Sequence, residues 1–302
     1  MTDPVGRLPD GSEYLRYIPP LPLDARWQLP EDTGGLRAAW LALRTALSEA
    51  GRLDAAMRTL VEHWASRGLL VRPIQVSGRS HIAMMLEIGI DAAVAASAEV
   101  STDLSKWPTE AGRRQSADLL VGVIKQGVDI APAEVAQLHA LLCPTLRPPA
   151  VPGMVQDPEV LRDSRGKWRR HMVLVIDGEG VRKDTAPVDR VLPSIAEAIR
   201  ANAAARAAGV PALVRAAWVL HALGVIHPFY DGNGRLARTL ASAVMIRAGG
   251  FPLMLPPTAH PTYLHCVSTA RKGDPAPLVQ LFANAQRLVV RDAVEFLSRG
   301  VP

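Results

Sequence analysis

Residues 227–238 read His-Pro-Phe-Tyr-Asp-Gly-Asn-Gly-Arg-Leu-Ala-Arg, and this stretch decides how the rest of the chain is interpreted. An apolar run over 211–226 precedes it, and an Ala- and Leu-rich run ending at Gly249-Gly250 follows it. The first run is apolar nearly all round, which is typical of a buried helix. The glycine pair is typical of a helix end. The sequence therefore predicts two central helices joined by a polar loop.

The loop has the composition of an anion site. Gly232 and Gly234 allow a tight turn and close approach of the backbone to a ligand. Because the second helix begins here, its free amide hydrogens and the positive end of its dipole face the loop. Such amides form a nest for phosphate. Arg235 and Arg238, three positions apart, lie on one face of the first turn and can bind further phosphates.

Two further side chains of the loop suggest catalysis. Asp231 beside phosphates is suited to Mg²⁺, which needs only one or two protein carboxylates. His227, at the end of the buried helix, is placed to accept a proton from an attacking hydroxyl. A single histidine at a helix end is more often a cap or a hydrogen-bonded core group, so the inference rests on the whole set. The set predicts nucleotidyl or phosphoryl transfer.

The remaining sequence predicts a mainly α protein. Only 5% of residues are aromatic, whereas Ala and Leu abound. The strongest strand signal covers 168–176, with a turn after it and a short return strand from Val181, which predicts a hairpin packed on the helices. Residues 1–35 are expected to form an irregular arm, attached by Tyr14, Tyr17, Ile18 and Trp27. Helical periodicity is found at 36–66, 81–100, 110–127, 131–142, 191–207, 261–271 and 277–298.

Composition narrows the class of protein. The net charge is +5, but the basic residues are scattered, which favours an anionic ligand over a nucleic-acid surface and gives no specific nucleic-acid partner. Cys143 and Cys266 have neither a disulfide nor a metal-site spacing. No signal peptide and no apolar run of membrane-spanning length is evident, so a cytoplasmic protein without a membrane partner is expected.

The segment HPFYDGNGRLAR resembles the signature HPFx(D/E)GNGRxxR of the Fic (Fic/Doc) family at every defined position. Similarity extends to 131–142, 166–176 and 262–282. The resemblance implies a Fic-type helical bundle with a small β-hairpin flap. It also implies a catalytic domain over 81–302, with its core at about 131–290, and an N-terminal arm and helical extension over 1–80.

The resemblance implies a protein adenylyltransferase, which transfers AMP from ATP to a Ser, Thr or Tyr hydroxyl of a target protein and releases pyrophosphate. His227 would be the base, and Asp231 would hold Mg²⁺ on the α- and β-phosphates. The backbone of Gly232, Asn233 and Gly234 would bind the α-phosphate. Arg235 would bind the β-phosphate, and Arg238 would bind the γ-phosphate. The intact GNGR portion favours adenylylation over the phosphorylation of Doc-type members. Alternatives are another nucleotide donor, removal of AMP from a modified protein, and a non-enzymatic binding module.

Two further expectations follow from the resemblance. The flap at 168–184, including Arg169, His171 and Val173, would pair with an extended segment of the target protein by strand addition. Many relatives are restrained by a helix with the pattern (S/T)xxxE(G/N), whose Glu pairs with the second motif arginine. The nearest fit is Glu99, which lacks the hydroxyl residue and the following Gly. Either Glu99 is a degenerate inhibitor, or an antitoxin-like partner restrains the site, or restraint is absent.

Overall fold

The computed structural model describes residues 5–7, 11–30, 34–96, 107–146, 164–176 and 180–299. Within these ranges the protein has ten α-helices and one small four-stranded sheet, which confirms the mainly α prediction. The five helices of the N-terminal half are α1 (Gly34–Glu49), α2 (Leu53–Ser66), α3 (His81–Ala95), α4 (Glu110–Gln126) and α5 (Pro132–Leu142). The other five are α6 (Val191–Ala207), α7 (Ala212–Ile226), α8 (Asn233–Arg247), α9 (His260–Arg271) and α10 (Ala276–Ser298).

The centre of the fold is the pair α7 and α8, with α3 packed against α8. Nearly every residue of α7 is buried, as its apolar sequence predicts. The contact of α3 with α8 is close, because a Cβ at Gly89 would lie only 3.1 Å from Cβ of Ser242. The carboxylate of Asp91 on the same helix pairs with Arg113 of α4 at 2.7 Å, so α3 is fixed on two sides. The polar loop therefore connects two closely packed helices, α7 and α8.

The sheet has the strand order β1-β2-β4-β3. The flap hairpin is β3 (Leu174–Ile176) antiparallel to β4 (Arg182–Asp184), so its first strand is shorter than the predicted 168–176. The turn at 177–179 lies outside the described residues. The prediction of an irregular arm was wrong, because β1 (Val5–Arg7) and β2 (Glu13–Leu15) form a second hairpin. This hairpin joins the flap through a parallel pairing of Leu15 with Lys183.

The arm is docked on α7 by two side chains of that helix. Trp218 Nε1 donates to the carbonyl of Leu21 at 2.8 Å, and the amide of Leu21 donates to His221 Nε2 at 3.2 Å. Trp27 is buried beside them, as expected of an anchor. Ile18 is 66% exposed, so its predicted anchoring role was wrong. Apolar side chains of the arm, among them Tyr17 and Leu23, also pack on the core. The hydrogen bonds to the arm's backbone are the part of this docking that sequence patterns do not reveal.

The N-terminal helices share the core of the remaining protein. The ring of Trp40 lies 4.6 Å from that of Phe251, and Trp64 Nε1 donates to Asp292 at 2.8 Å. The domain boundary at residue 80 and the core at 131–290 stay predictions. No helix in the described ranges is long and apolar enough to cross a membrane.

Candidate active site

His227 ends α7 in the left-handed conformation, with φ 51° and ψ 63°. Among the residues that the structure describes, it is the only non-glycine with positive φ. Its amide donates to the carbonyl of Leu223 at 2.9 Å and closes the last turn. A side chain disfavours this conformation, so the surrounding contacts must stabilise it. The turn directs the chain from the buried helix into the loop.

Arg169 supplies much of that stabilisation. Its buried guanidinium donates from Nε to the carbonyl of His227 at 2.8 Å and from Nη1 to that of His171 at 2.9 Å. Nη2 donates to the carbonyl of Ala186. The main-chain amide of Arg169 also donates to the carbonyl of Pro228 at 3.0 Å. One side chain thus fastens the segment before the flap to the end of α7.

The three predicted docking residues of the flap occupy different environments. The side chain of Arg169 is committed to the loop and is not exposed to a target segment. Val173 is also buried, and its carbonyl accepts a hydrogen bond from Thr185 Oγ1 at 2.8 Å. His171 alone of the three is exposed. Pairing of the flap with a target stays a prediction, and it would rely on main-chain atoms and His171.

Electrostatics keep the imidazole of His227 neutral. Burial, the charge of Arg271 and the charge of Arg169 lower the pKa of His227 to about 3. Each of these disfavours the protonated ring. A neutral imidazole has a lone pair available, which is the state that a general base needs before reaction.

The start of α8 has the backbone geometry on which the predicted phosphate nest depends. Gly232 has φ 78° and its carbonyl accepts the first helical hydrogen bond, from Leu236 at 3.0 Å. The amides of the first turn therefore have no carbonyl one turn earlier to receive them. A Cβ at Gly232 would lie 2.3 Å from Cys143 Sγ, and a Cβ at Gly234 would lie 3.2 Å from Arg238 Nη1. Glycine is therefore required at 232, whereas a Cβ at 234 would only crowd the end of the Arg238 side chain.

Asn233 acts on the loop through its side chain. Its Oδ1 accepts from the amide of Phe229 at 2.9 Å, and its Nδ2 donates to the carbonyl of Phe229 at 2.8 Å. Phe229 is fully buried and anchors the loop in the core. The side-chain amide of Asn233 is thus used to shape the loop. Its main-chain amide is the group that faces a phosphate in the predicted role.

Asp231 is partly accessible and lies next to the buried Arg235. Asp231 Oδ1 accepts from the amide of Gly232 at 2.7 Å, and Oδ2 lies 3.6 Å from Arg235 Nη2. The Asp231 side chain is 29% exposed, whereas Arg235 is buried. An accessible carboxylate oxygen beside amide donors and an arginine is a donor set that fits a hydrated Mg²⁺ ion with phosphate oxygens.

Arg238 is buried and in contact with two other elements. Nε and Nη2 donate to the carbonyl of Ala93 on α3, at 2.9 and 2.7 Å. The guanidinium lies 5.4 Å from the ring centre of Tyr263 on α9, with Nη1 3.4 Å from its hydroxyl oxygen. Glu99, the candidate inhibitory residue, lies outside the described residues, and its role stays a prediction.

His139 of α5 is a site residue that sequence reasoning did not single out. Its buried ring stacks on Phe229 at 3.8 Å and 5°. Nδ1 accepts from the amide of Gly166 at 3.1 Å, so the ring hydrogen is assigned to Nε2, which donates to the carbonyl of Asp231 at 2.9 Å. Burial lowers the pKa of His139 to about 4. The available sequence signal for His139 was its position in the segment 131–142, over which the similarity to the Fic family extends.

A family model of the Fic/DOC family matches residues 129–245. This range contains the loop, the flap and the helices α5 to α7 with most of α8, and residues 129–245 are therefore a Fic/DOC domain. Protein adenylyltransferase Fic from Drosophila persimilis is 39% identical over 69 residues, which are 23% of this chain and 14% of that protein. The Drosophila melanogaster protein of the same name is 41% identical over 59 residues, 20% of this chain and 12% of that protein. The match thus spans about one seventh of these relatives or less.

Solved structures show the same fold. A fragment of Fic-1 from C. elegans has a TM-score of 0.51 and 18% identity, covering 89% of this chain and 80% of that chain. A Fic domain containing signaling protein from Bacteroides thetaiotaomicron has a TM-score of 0.50 and 12% identity, covering 86% of this chain and 96% of that chain. The predicted Fic-type helical bundle with a small hairpin is confirmed.

Proposed function

We propose that this protein is a Mg²⁺-dependent protein adenylyltransferase that transfers AMP from ATP to a hydroxyl of a target protein. The observation that supports this most directly is the placement of His227. The imidazole of His227 is neutral, and Arg169 holds the main-chain carbonyl of the same residue at the end of α7. The loop that follows leads into the first-turn amides of α8. A base next to a phosphate nest fits transfer to a hydroxyl better than simple binding.

The proposed reaction is a single displacement. His227 takes the proton of a Ser, Thr or Tyr hydroxyl, and the oxygen forms a bond to the α-phosphorus. The bond from that phosphorus to the bridging oxygen breaks, and pyrophosphate leaves with the electron pair. Asp231 raises the pKa of His227, and the negative phosphates of a bound nucleotide would act in the same direction. The base would therefore strengthen once the nucleotide is in place.

The roles of the remaining loop residues follow from their donors. Asp231 would hold Mg²⁺, which would neutralise charge on the phosphates. The first-turn amides of α8 would bind the α-phosphate and Arg235 the β-phosphate. Arg238 would reach the γ-phosphate from a position where it now binds Ala93. The three phosphate contacts would align the α-phosphorus with the attacking oxygen.

The sheet topology limits where a target segment would add. β4 is paired with β3 on one side and with β2 on the other. Only β3 and β1 are left as edge strands of this sheet. Since β3 belongs to the flap that Arg169 ties to His227, we assign target pairing to β3.

The test uses ATP labelled in the α-phosphate, the full-length protein, Mg²⁺ and a cell lysate. Labelled proteins are expected with the parent, and His227→Ala should lose the signal. His265→Ala, an exposed histidine on α9, is the matched control and should keep it. Incorporation of γ-label that is lost in His227→Ala, or α-label that persists in His227→Ala, would contradict the proposal. A donor panel of ATP, UTP, GTP and CDP-choline, and an AMP-modified protein as substrate, test the alternative reactions.

A further inference from the structure

A pocket opens between α4, α6, α7 and α8, and the motif 227–238 is absent from its described lining. Its cavity volume is about 90 Å³, counted as the space open to the centre of a water-sized sphere. Each helix contributes aliphatic side chains, and the described lining contains no aromatic residue. The representative residues are Leu120, Ile195, Val219 and Leu240. These walls suit a flexible hydrocarbon chain better than a planar ring, which would be expected to stack on an aromatic face.

The same pocket has a group of three arginines, Arg206, Arg215 and Arg247, which we call the arginine cluster. Asp129 is the carboxylate in this lining, and two of the arginines share it. Arg206 Nη2 lies 2.8 Å from Asp129 Oδ2, and Arg247 Nη1 lies 3.8 Å from Asp129 Oδ1. Three positive charges and one negative charge leave an excess of two positive charges at the edge of an apolar space.

Arg215 is the exceptional member of the cluster, because it is 6% exposed. Its Nε donates to the carbonyl of Val210 at 3.0 Å, and Nη1 donates to Asn202 Oδ1 at 3.3 Å. Both acceptors are neutral, and none of the carboxylates that the structure describes forms an ion pair with it. Burial, followed by repulsion from Arg206 and Arg247, lowers the pKa of Arg215. The charge of Asp129 acts in the opposite direction, but Arg206 and Arg247 already pair with this carboxylate. Arg215 is thus buried beside two like charges and one shared counter-charge, an arrangement that favours binding of a further anion.

We propose that this pocket binds an aliphatic carboxylate of the fatty-acid type, with its chain between the four helices and its carboxylate on the arginine cluster. A planar carboxylate matches the fork of a guanidinium. The proposal does not depend on the adenylyltransferase activity, because no motif residue takes part. It predicts a second ligand site, packed directly against the two helices that carry the catalytic loop.

The test is isothermal titration of the full chain with decanoate, below its micellar range. One decanoate per chain is expected to bind. Decanol, which has the same chain without the charge, should bind at least roughly tenfold more weakly, since a hydrogen-bonded charge pair contributes on the order of one decade. Inorganic phosphate tests an anion without a chain and should give no measurable heat in the same range. Equal affinity for decanol and decanoate, or phosphate binding as tight as decanoate, would overturn the proposal.

Two variants locate the site. Ala198→Phe on α6 places a ring in the pocket and should abolish decanoate binding, whereas Ala204→Phe on the exposed side of α6 should not change it. Arg215→Gln should weaken decanoate at least roughly tenfold, and Arg200→Gln, an exposed position, should leave it unchanged. Circular dichroism verifies that each variant is folded. If Ala198→Phe binds decanoate like the parent, the pocket is not the site and the proposal fails.

Discussion

Arg238 donates two hydrogen bonds to the main-chain carbonyl of Ala93, from Nε at 2.9 Å and from Nη2 at 2.7 Å. The arginine that we assign to the γ-phosphate therefore also links α8 to the C-terminal end of α3. The guanidinium has a fixed number of donors, so a phosphate that takes up these donors must compete with the carbonyl. The position of the end of α3 thus bears directly on the proposed nucleotide site.

The first prediction concerns this contact between Arg238 and Ala93. Arg238→Lys keeps the charge but cannot form the forked contact with Ala93. A buried carbonyl that loses its donors should lower the free energy of unfolding by about 1–3 kcal/mol. Urea unfolding followed by circular dichroism measures the loss. Arg291→Lys on the exposed face of α10 is the control and should be within about 0.5 kcal/mol of the parent. An Arg238→Lys variant as stable as the control would show that the contact is not stabilising.

The second prediction concerns His139. His139→Phe keeps an aromatic ring against Phe229 but removes both hydrogen bonds of the imidazole, to the amide of Gly166 and to the carbonyl of Asp231. Stability should fall by about 2 kcal/mol, because two part-buried hydrogen bonds are lost. Since the backbone of Asp231 is then less well fixed, AMP transfer should need more Mg²⁺. A Mg²⁺ titration of the labelling reaction measures this.

The control for that experiment is His265→Phe, at an exposed position of α9. It should change neither the unfolding midpoint nor the Mg²⁺ dependence. If His139→Phe loses stability but keeps the parent Mg²⁺ dependence, the histidine supports the fold without positioning Asp231.

The central helices and the loop were predictable because their signals are local. The apolar run before His227, the glycines at 232 and 234 and the first turn of α8 lie within a short stretch, and each signal acts on its own neighbours. The prediction of a phosphate nest depends on a helix start, which the sequence marks. The roles of His227, Asp231 and the arginines stay predictions, which the labelling experiments test.

The supports of the loop were not predictable, since each depends on a distant partner. β2 has only three residues, and it joins the flap by pairing with Lys183, which is distant in the sequence. The sequence predicts Arg169 to be a flap residue, but its guanidinium donates hydrogen bonds to the carbonyls of His227 and Ala186. His139 similarly joins Gly166 to Asp231. No periodicity encodes such side-chain to backbone contacts.

The third prediction concerns the glycine that precedes α8. Gly232→Ala combines a positive φ with a Cβ placed 2.3 Å from Cys143 Sγ, so it should lower the free energy of unfolding by more than about 2 kcal/mol. Gly224→Ala is the matched control, because this glycine lies within α7 and a Cβ there meets no atom within 4 Å. Alanine should stabilise that helix by about 0.5–1 kcal/mol. Thermal unfolding of both variants measures the contrast, and equal effects would refute the steric explanation.

The fourth prediction concerns acid and the docking of the arm. Burial, followed by the charge of Arg271, lowers the pKa of His221 from the usual 6.5 to about 3. Below pH 6.5 the unfolded chain therefore binds a proton that the folded protein does not, and stability falls as the pH decreases toward 3. At pH 5 this difference amounts to about 2 kcal/mol for one histidine.

The variant His221→Gln tests the assignment, because a glutamine oxygen can still accept from the amide of Leu21 but does not titrate. Between pH 7 and 5 its melting temperature should fall less steeply than that of the parent. The exposed control His265→Gln should follow the parent. The chain has six tryptophans, so the signal of Trp27, which packs 5.5 Å from the His221 ring, is taken as the difference in fluorescence between the parent and Trp27→Phe. This difference reports whether the arm detaches before global unfolding. Parallel pH profiles for His221→Gln and the parent would mean that His221 contributes nothing to acid sensitivity.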